Sequence, residues 1–138
     1  MKKRNILILF LSIFFFIACS EDDNEEECIN YDDVAKVTNV EAPATATVNE
    51  VVSVNVTFQV KNACGEFAQF DESIDGTTRT IAVEAVYEGC ACAQVITTKT
   101  ATYEFTPEVT GEYVLKFQTA PNEFIEKTIT VEEAGSSS

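Results

Sequence analysis

Two residue types are missing from the 138-residue chain: it has no histidine and no tryptophan. Without histidine, the commonest general base is gone, and with it the usual serine or cysteine triad. Without tryptophan, the chain lacks the large aromatic face that sugar stacking favours, which counts against a glycan site. Basic residues are scarce as well, nine against 23 acids, for a formal charge of −14. Such a surface repels phosphate backbones, so nucleic acid is not an expected partner. No glycine-rich phosphate cradle and no basic patch interleaved with aromatics occurs. Apolar residues run on without a break in one place only, near the start.

That run is Ile6 to Ile17, twelve residues with Ser12 as the single polar one, preceded by Lys2-Lys3-Arg4. A basic start followed by a short apolar core has the form of a secretion signal. As a helix it would rise about 18 Å, against a hydrocarbon core of roughly 30 Å, so it is too short for a permanent span. Phe16-Ile17-Ala18-Cys19 closes the run. Ser20 to Glu27 then carries six acids in eight residues, and a block of like charges repels itself and stays solvated.

Ala18-Cys19 resembles the lipobox of bacterial lipoproteins, with Phe16 standing where leucine is more usual. The resemblance implies that residues 1–18 are cut away and that Cys19 is acylated, holding the protein to a membrane by chains such as palmitate. Cys19-Ser20-Glu21-Asp22-Asp23 is similar to the start of surface-exported lipoproteins of the Bacteroidota. There a short acidic motif after the lipidated cysteine directs display on the outer face. The resemblance thus makes Ser20, Glu21, Asp22 and Asp23 an export signal and implies an outer-membrane lipoprotein at the cell surface, with the periplasmic face as the alternative. Loss of Lys2, Lys3 and Arg4 leaves six basic residues against 23 acids, so the mature charge becomes −17.

The mature chain, Cys19 to Ser138, fits one domain. We expect a lipidated cysteine and acidic tether over 19–36, a globular part over 37–133, and a small polar tail over 134–138. Period-two alternation recurs in the globular part. Val52, Val54, Val56, Phe58 and Val60 alternate with polar residues. Ile81, Val83, Ala85 and Tyr87 form a second stripe; Ala101, Tyr103 and Phe105 a third; Tyr113, Leu115 and Phe117 a fourth; Ile125, Ile129 and Val131 a last. Turn residues separate them at Ala42-Pro43, 62–65, Asp75-Gly76, 107–111 and Pro121-Asn122. The expected fold is all-β, a single antiparallel sandwich of about seven strands.

The segment from Tyr103 to Phe117, with Pro107, Gly111 and Tyr113 at its centre, looks like the E–F corner of immunoglobulin-like and fibronectin-like bacterial modules. The resemblance implies an Ig-like sandwich in which the Tyr113 ring enters the core and its hydroxyl bonds to nearby backbone. Leu115 stands where antibody domains carry a core cysteine, so the usual inter-sheet bridge is absent.

With Cys19 lipidated, Cys28, Cys64, Cys90 and Cys92 remain, an even number in an exported chain. They suggest two disulfides. A Cys90–Cys92 bond would close a strained ring. If residues 66–72 pair with 79–87 across Asp75-Gly76, Cys64 arrives near Cys90, and Cys28 is left for Cys92. That is the expected pairing, with Cys64–Cys92 and Cys28–Cys90 as the alternative. A four-cysteine zinc site is disfavoured by the one-residue spacing and the oxidising compartment. Asp71, Glu72 and Asp75 could offer oxygens to calcium, but solvated turn acids explain them as well. No cofactor or metal is expected.

The functional expectation is a non-catalytic envelope module that binds or scaffolds an unidentified protein or glycan. A plain structural spacer and a small protease-inhibitor-like module are the alternatives. The stretches expected to be available for contact are 65–70, 71–79 and 89–98. Within them Phe67 and Phe70 stand out as candidate binding residues. At a spacing of three they cannot both face a strand's core side unless a bulge intervenes.

Overall fold

The computed structural model describes residues 27–135. Eight strands follow one another with no helix among the described residues: β1 (Ile29–Glu41), β2 (Thr45–Thr47), β3 (Val52–Val60), β4 (Gly65–Asp75), β5 (Thr78–Gly89), β6 (Thr97–Phe105), β7 (Gly111–Ala120) and β8 (Glu123–Glu132). The strand order is β2-β8-β7-β5-β1-β3-β6, with β4 on β5 as a branch.

The alternating stripes become the core. Val52, Val54, Val56, Phe58 and Val60 are buried, as are Ile81, Val83, Ala85 and Tyr87. Tyr103, Phe105, Tyr113, Leu115, Phe117, Ile129 and Val131 close over them from the other strands. Period two puts every second side chain on one face, and β-branched and aromatic residues suit that pleated surface.

Two expectations are corrected. The sheet is mixed: β5 pairs with β7 in parallel, Thr78↔Val114 to Ile81↔Phe117, and β2 lies parallel to β8. The reason is connectivity. After β5 the chain crosses to β6, which pairs with β3 on the other layer, and then returns as β7 beside β5. Two reversals restore the original direction. Strands also number eight, the three-residue β2 among them, and the sheet begins at Ile29, eight residues ahead of the expected Val37. Adjacent Asp32 and Asp33 interrupt the apolar alternation there, so the segment reads as more tether.

β1 ties the layers together. Its first half pairs antiparallel with β5, Ile29↔Gly89 to Ala35↔Val83. Its second half, from Lys36↔Gln59 onward, pairs with β3. The sheet therefore curls on itself through β1. On the opposite side β4 and β6 are edge strands, and side chains bridge the gap between them. Lys99 reaches Glu66 at 2.6 Å. Phe67 packs on Phe58 with centroids 6.1 Å apart, and Phe70 meets Tyr103 edge-on at 5.4 Å.

The β4–β5 hairpin forms as expected, with Asp75 opposite Thr78 and Gly76 at φ 61° in the turn. Tyr113 takes the buried, backbone-bonded position expected of it. Its hydroxyl donates to the Val109 carbonyl at 3.2 Å and accepts from the Val109 amide at 3.4 Å.

Candidate functional site

Two places in the fold hold chemistry beyond plain packing. The first is the end of the sandwich where β1 begins, β3 and β5 finish, and β4 and β6 start. Cys28 bonds to Cys90 with Cα atoms 4.1 Å apart, and Cys64 bonds to Cys92 at 5.4 Å. The preferred pairing of Cys64 with Cys90 and Cys28 with Cys92 is therefore corrected to the alternative. The cause is β1, which the apolar alternation does not mark as a strand. Ile29 opposes Gly89, so the next pair along the ladder is Cys28 opposite Cys90. Gly65 opposes Tyr87, which leaves Cys64 beside Gly89 and within reach of the turn that carries Cys92. Ala91 between the two cysteines adopts φ 56°, a left-handed conformation that costs a non-glycine residue about 1–2 kcal/mol and that two flanking crosslinks hold in place.

The loops at this end are cross-braced. The Ala63 amide donates to the Ala93 carbonyl at 2.9 Å. Buried Asn62 accepts from the Cys64 amide through its side chain at 2.9 Å. The Lys61 amide donates to the Tyr87 hydroxyl at 3.0 Å. The Lys61 ammonium pairs with Asp33, and this hydrogen bond raises its pKa above the ordinary lysine value. Tyr31 stacks on Tyr87 at 4.9 Å. Where β1 leaves β5 for β3, a groove of about 140 Å³ opens between Val34, Lys36, Gln59, Lys61, Tyr87 and Ile96. Beside it Ile96 is 68% exposed and Val95 58%, with Val34 and Tyr31 also open to solvent.

The second place is the inner side of the β4–β6 seam. Arg79 Nη1 donates to both carboxylate oxygens of Glu72, at 3.2 and 3.1 Å, and to the Tyr103 hydroxyl at 3.3 Å. Tyr103 in turn donates to Glu72. The guanidinium carbon lies 4.8 Å from the Phe105 ring centroid, a cation–π arrangement. Arg79 Nε is buried without a hydrogen-bond partner. A cleft of about 310 Å³ runs outward from Arg79 past Ile74, Gly76, Glu108 and Val109. Glu72 already neutralises the cation, so this cluster reads as a clamp across the seam.

The candidates from sequence fall as follows. Cys19, Ser20, Glu21, Asp22 and Asp23 lie outside the described residues. A bulge between Phe67 and Gln69 sets Phe67 opposite Ala85 and Phe70 opposite Val83. Both partners point into the core, so both phenylalanines turn inward. Their rings pack 4.8 Å apart in the seam, with Phe70 half-buried and Phe67 still 37% exposed. Glu72 turns onto Arg79, away from Asp71 and Asp75, and no group of three or more metal-ligating side chains converges among the described residues. Sequence reasoning includes Arg79, Val95 and Ile96 only within the contact stretches 71–79 and 89–98 and singles none of them out. A signal for Arg79 is available: it continues the odd-numbered stripe of Ile81, Val83, Ala85 and Tyr87, which faces inward.

The family model of the ORF11 beta-sandwich domain matches residues 54–131. The chain belongs to the ORF11 beta-sandwich family. No curated protein and no solved structure matches it. The ORF11 segment runs from β3 into β8 and holds the whole Arg79 clamp, the seam and three of the four bonded cysteines. β1, with Cys28, precedes the matched ORF11 segment and adds the strand that joins the two layers.

Proposed function

We propose that the protein is a lipid-anchored, non-catalytic module of the cell envelope, displayed on the outer membrane surface, where it binds or scaffolds a partner. The observation that carries this reading is the fate of the cysteines. Two disulfides at one end take four of the five, and the fifth is Cys19, directly behind the apolar run and a small residue. Paired disulfides suit an exported chain. The chain also enters the fold at that same end, so an anchor on Cys19 has a short, stapled route into the domain. The Tyr113 corner supports an Ig-like relationship for β6 to β8, while the parallel β5–β7 pairing sets this sandwich apart from antibody domains.

The test is direct. The mature protein should carry acyl chains on Cys19 by intact mass, and Cys19→Ala should abolish the mass increment and leave the chain unanchored or unprocessed. Replacing Glu21, Asp22 and Asp23 with alanine should keep the lipid and lose protease accessibility on intact cells. Unchanged shaving of that variant would refute display through the acidic motif.

A further inference from the structure

We propose that the disulfide end of the sandwich rests on the bilayer surface, with Val95 and Ile96 entering the headgroup–acyl boundary beside the protein's own lipid anchor. The inference deepens the anchoring function proposed above and rests on Cys19 bearing the lipid.

Three observations converge on this end. First, it presents the apolar side chains an interface accepts. Ile96 and Val95 are 68% and 58% exposed on the short segment between Cys92 and β6, and Val34 and Tyr31 are exposed on the adjacent first half of β1. Tyrosine suits the headgroup level because its ring is apolar and its hydroxyl wet. Second, the charges around the site are mixed, with three of the chain's few cations among them. Lys36 and Lys61 line the groove next to Ile96, and Lys99 lies just inside β6. Asp33 pairs with Lys61 and Glu66 with Lys99. Asp32 and Glu88 on the flank favour a zwitterionic over an anionic surface. Third, the chain outside the structure ends here. Cys28 is fixed to β5 through Cys90, so only the stretch from Cys19 to Cys28 separates acyl chains from domain. Nine residue steps span at most about 30 Å when fully extended.

That limit gives the surface its partner. A group held within a few nanometres of its target has an effective concentration in the millimolar range, so contacts too weak to act in solution still dock. The Cys90 and Cys92 bonds and the Ala63–Ala93 hydrogen bond fasten the stretch 90–93 that leads into Val95 and Ile96.

The absence of tryptophan makes the test clean, since a single introduced tryptophan is the only one in the chain. Ile96→Trp and Val109→Trp place it at the two opposite ends of β6, both at exposed sites. The acylated full-length proteins are reconstituted in phosphatidylcholine vesicles with and without bromine on the acyl chains near the headgroups. The Ile96→Trp protein should show blue-shifted emission and lose most of it to bromine, while the Val109→Trp protein keeps its own. Equal, unquenched emission from both variants in protein that floats with the vesicles overturns the docked orientation and leaves the anchor intact. Quenching of Val109→Trp and not of Ile96→Trp also overturns it. An intact mass without acyl chains refutes the anchor and the docking together. Val95→Trp should repeat the Ile96→Trp result.

Discussion

Gly65 shows how tightly one residue can be specified at the start of β4. A Cβ there would lie 2.6 Å from Val60 Cβ and 2.7 Å from Tyr87 Cε1. Neither neighbour can retreat, because Val60 is fully buried and Tyr87 is held between Tyr31 and the Lys61 amide. Gly65→Ala should therefore cost about 1–3 kcal/mol through overpacking, read as a lower urea midpoint at unchanged m-value. A neutral result would mean that β4 shifts at its origin. Arg79 poses the opposite problem, a charge on the core stripe. Its side chain is 16% exposed and that of Glu72 26%, so neither is well solvated. Glu72→Ala strands the guanidinium with Nε already unpartnered and should destabilise by about 2 kcal/mol, discounted from the cost of breaking a fully buried pair. Glu72→Gln keeps an acceptor and should lose less. Equal losses would assign the effect to packing alone. Tyr113 is legible in the sequence because proline, glycine and tyrosine occur in one short motif. Arg79 is not legible by hydropathy, because only its parity marks it as inward.

β1 is the element on which most of the fold turns. Its inward positions Tyr31, Asp33, Ala35 and Val37 alternate correctly, but Asp33 breaks the apolar signal, and its meaning emerges only when Lys61 is placed beside it. Without β1 the tether reads too long, and the cysteines pair as if only the β4–β5 hairpin organised them. That hairpin itself is legible, since Asp75-Gly76 marks its turn and the stripe of β5 is strict. Over Ile29–Ala35 the strand has β5 on one edge, and its outer side chains are largely exposed. The Cys28–Cys90 bond is then its chief fastening. Replacing both cysteines with serine removes a crosslink of sequence separation 62, worth about 4 kcal/mol in the chain-entropy model. Hydrogen exchange should accelerate at residues 29–35 first, while β3 and β6 keep their protection. Uniform loss across all strands would refute a locally fastened β1. The Lys61–Asp33 bond adds a smaller, pH-dependent term. Lys61 has its pKa raised in the fold from 10.5, chiefly by the hydrogen bond to Asp33. The stabilisation is therefore complete below the unfolded value and lost as pH rises through the higher folded one. Lys61 is largely exposed, so the effect is no more than about 0.5 kcal/mol. Between about pH 9 and pH 12 the native protein should lose slightly more stability than Asp33→Asn, measured by urea titration at each pH.

At the scale of the molecule, charge and size set the behaviour. Nine basic residues face 23 acids in the chain, and four ion pairs occur among the described residues. Three of these four join partners of which at least one is more than half exposed, and such pairs contribute little. The surplus acids repel one another across the domain. A domain of about 100 residues has a radius of gyration near 13 Å, while the screening length is about 30 Å at 0.01 M salt and about 3 Å at 1 M. At low salt every surface acid thus feels every other, and at high salt only its neighbours. Screening weakens both the attraction within pairs and the repulsion among the surplus, and here the repulsive terms outnumber the attractive ones. Sodium chloride should therefore stabilise the protein, with the melting temperature rising by several degrees from low to high salt, where about 1 kcal/mol corresponds to 4–8 °C for a domain of this size. Calorimetry on the oxidised protein checks the sign. A fall in melting temperature with salt would show that the ion pairs, the Glu72–Arg79 clamp above all, outweigh the general repulsion.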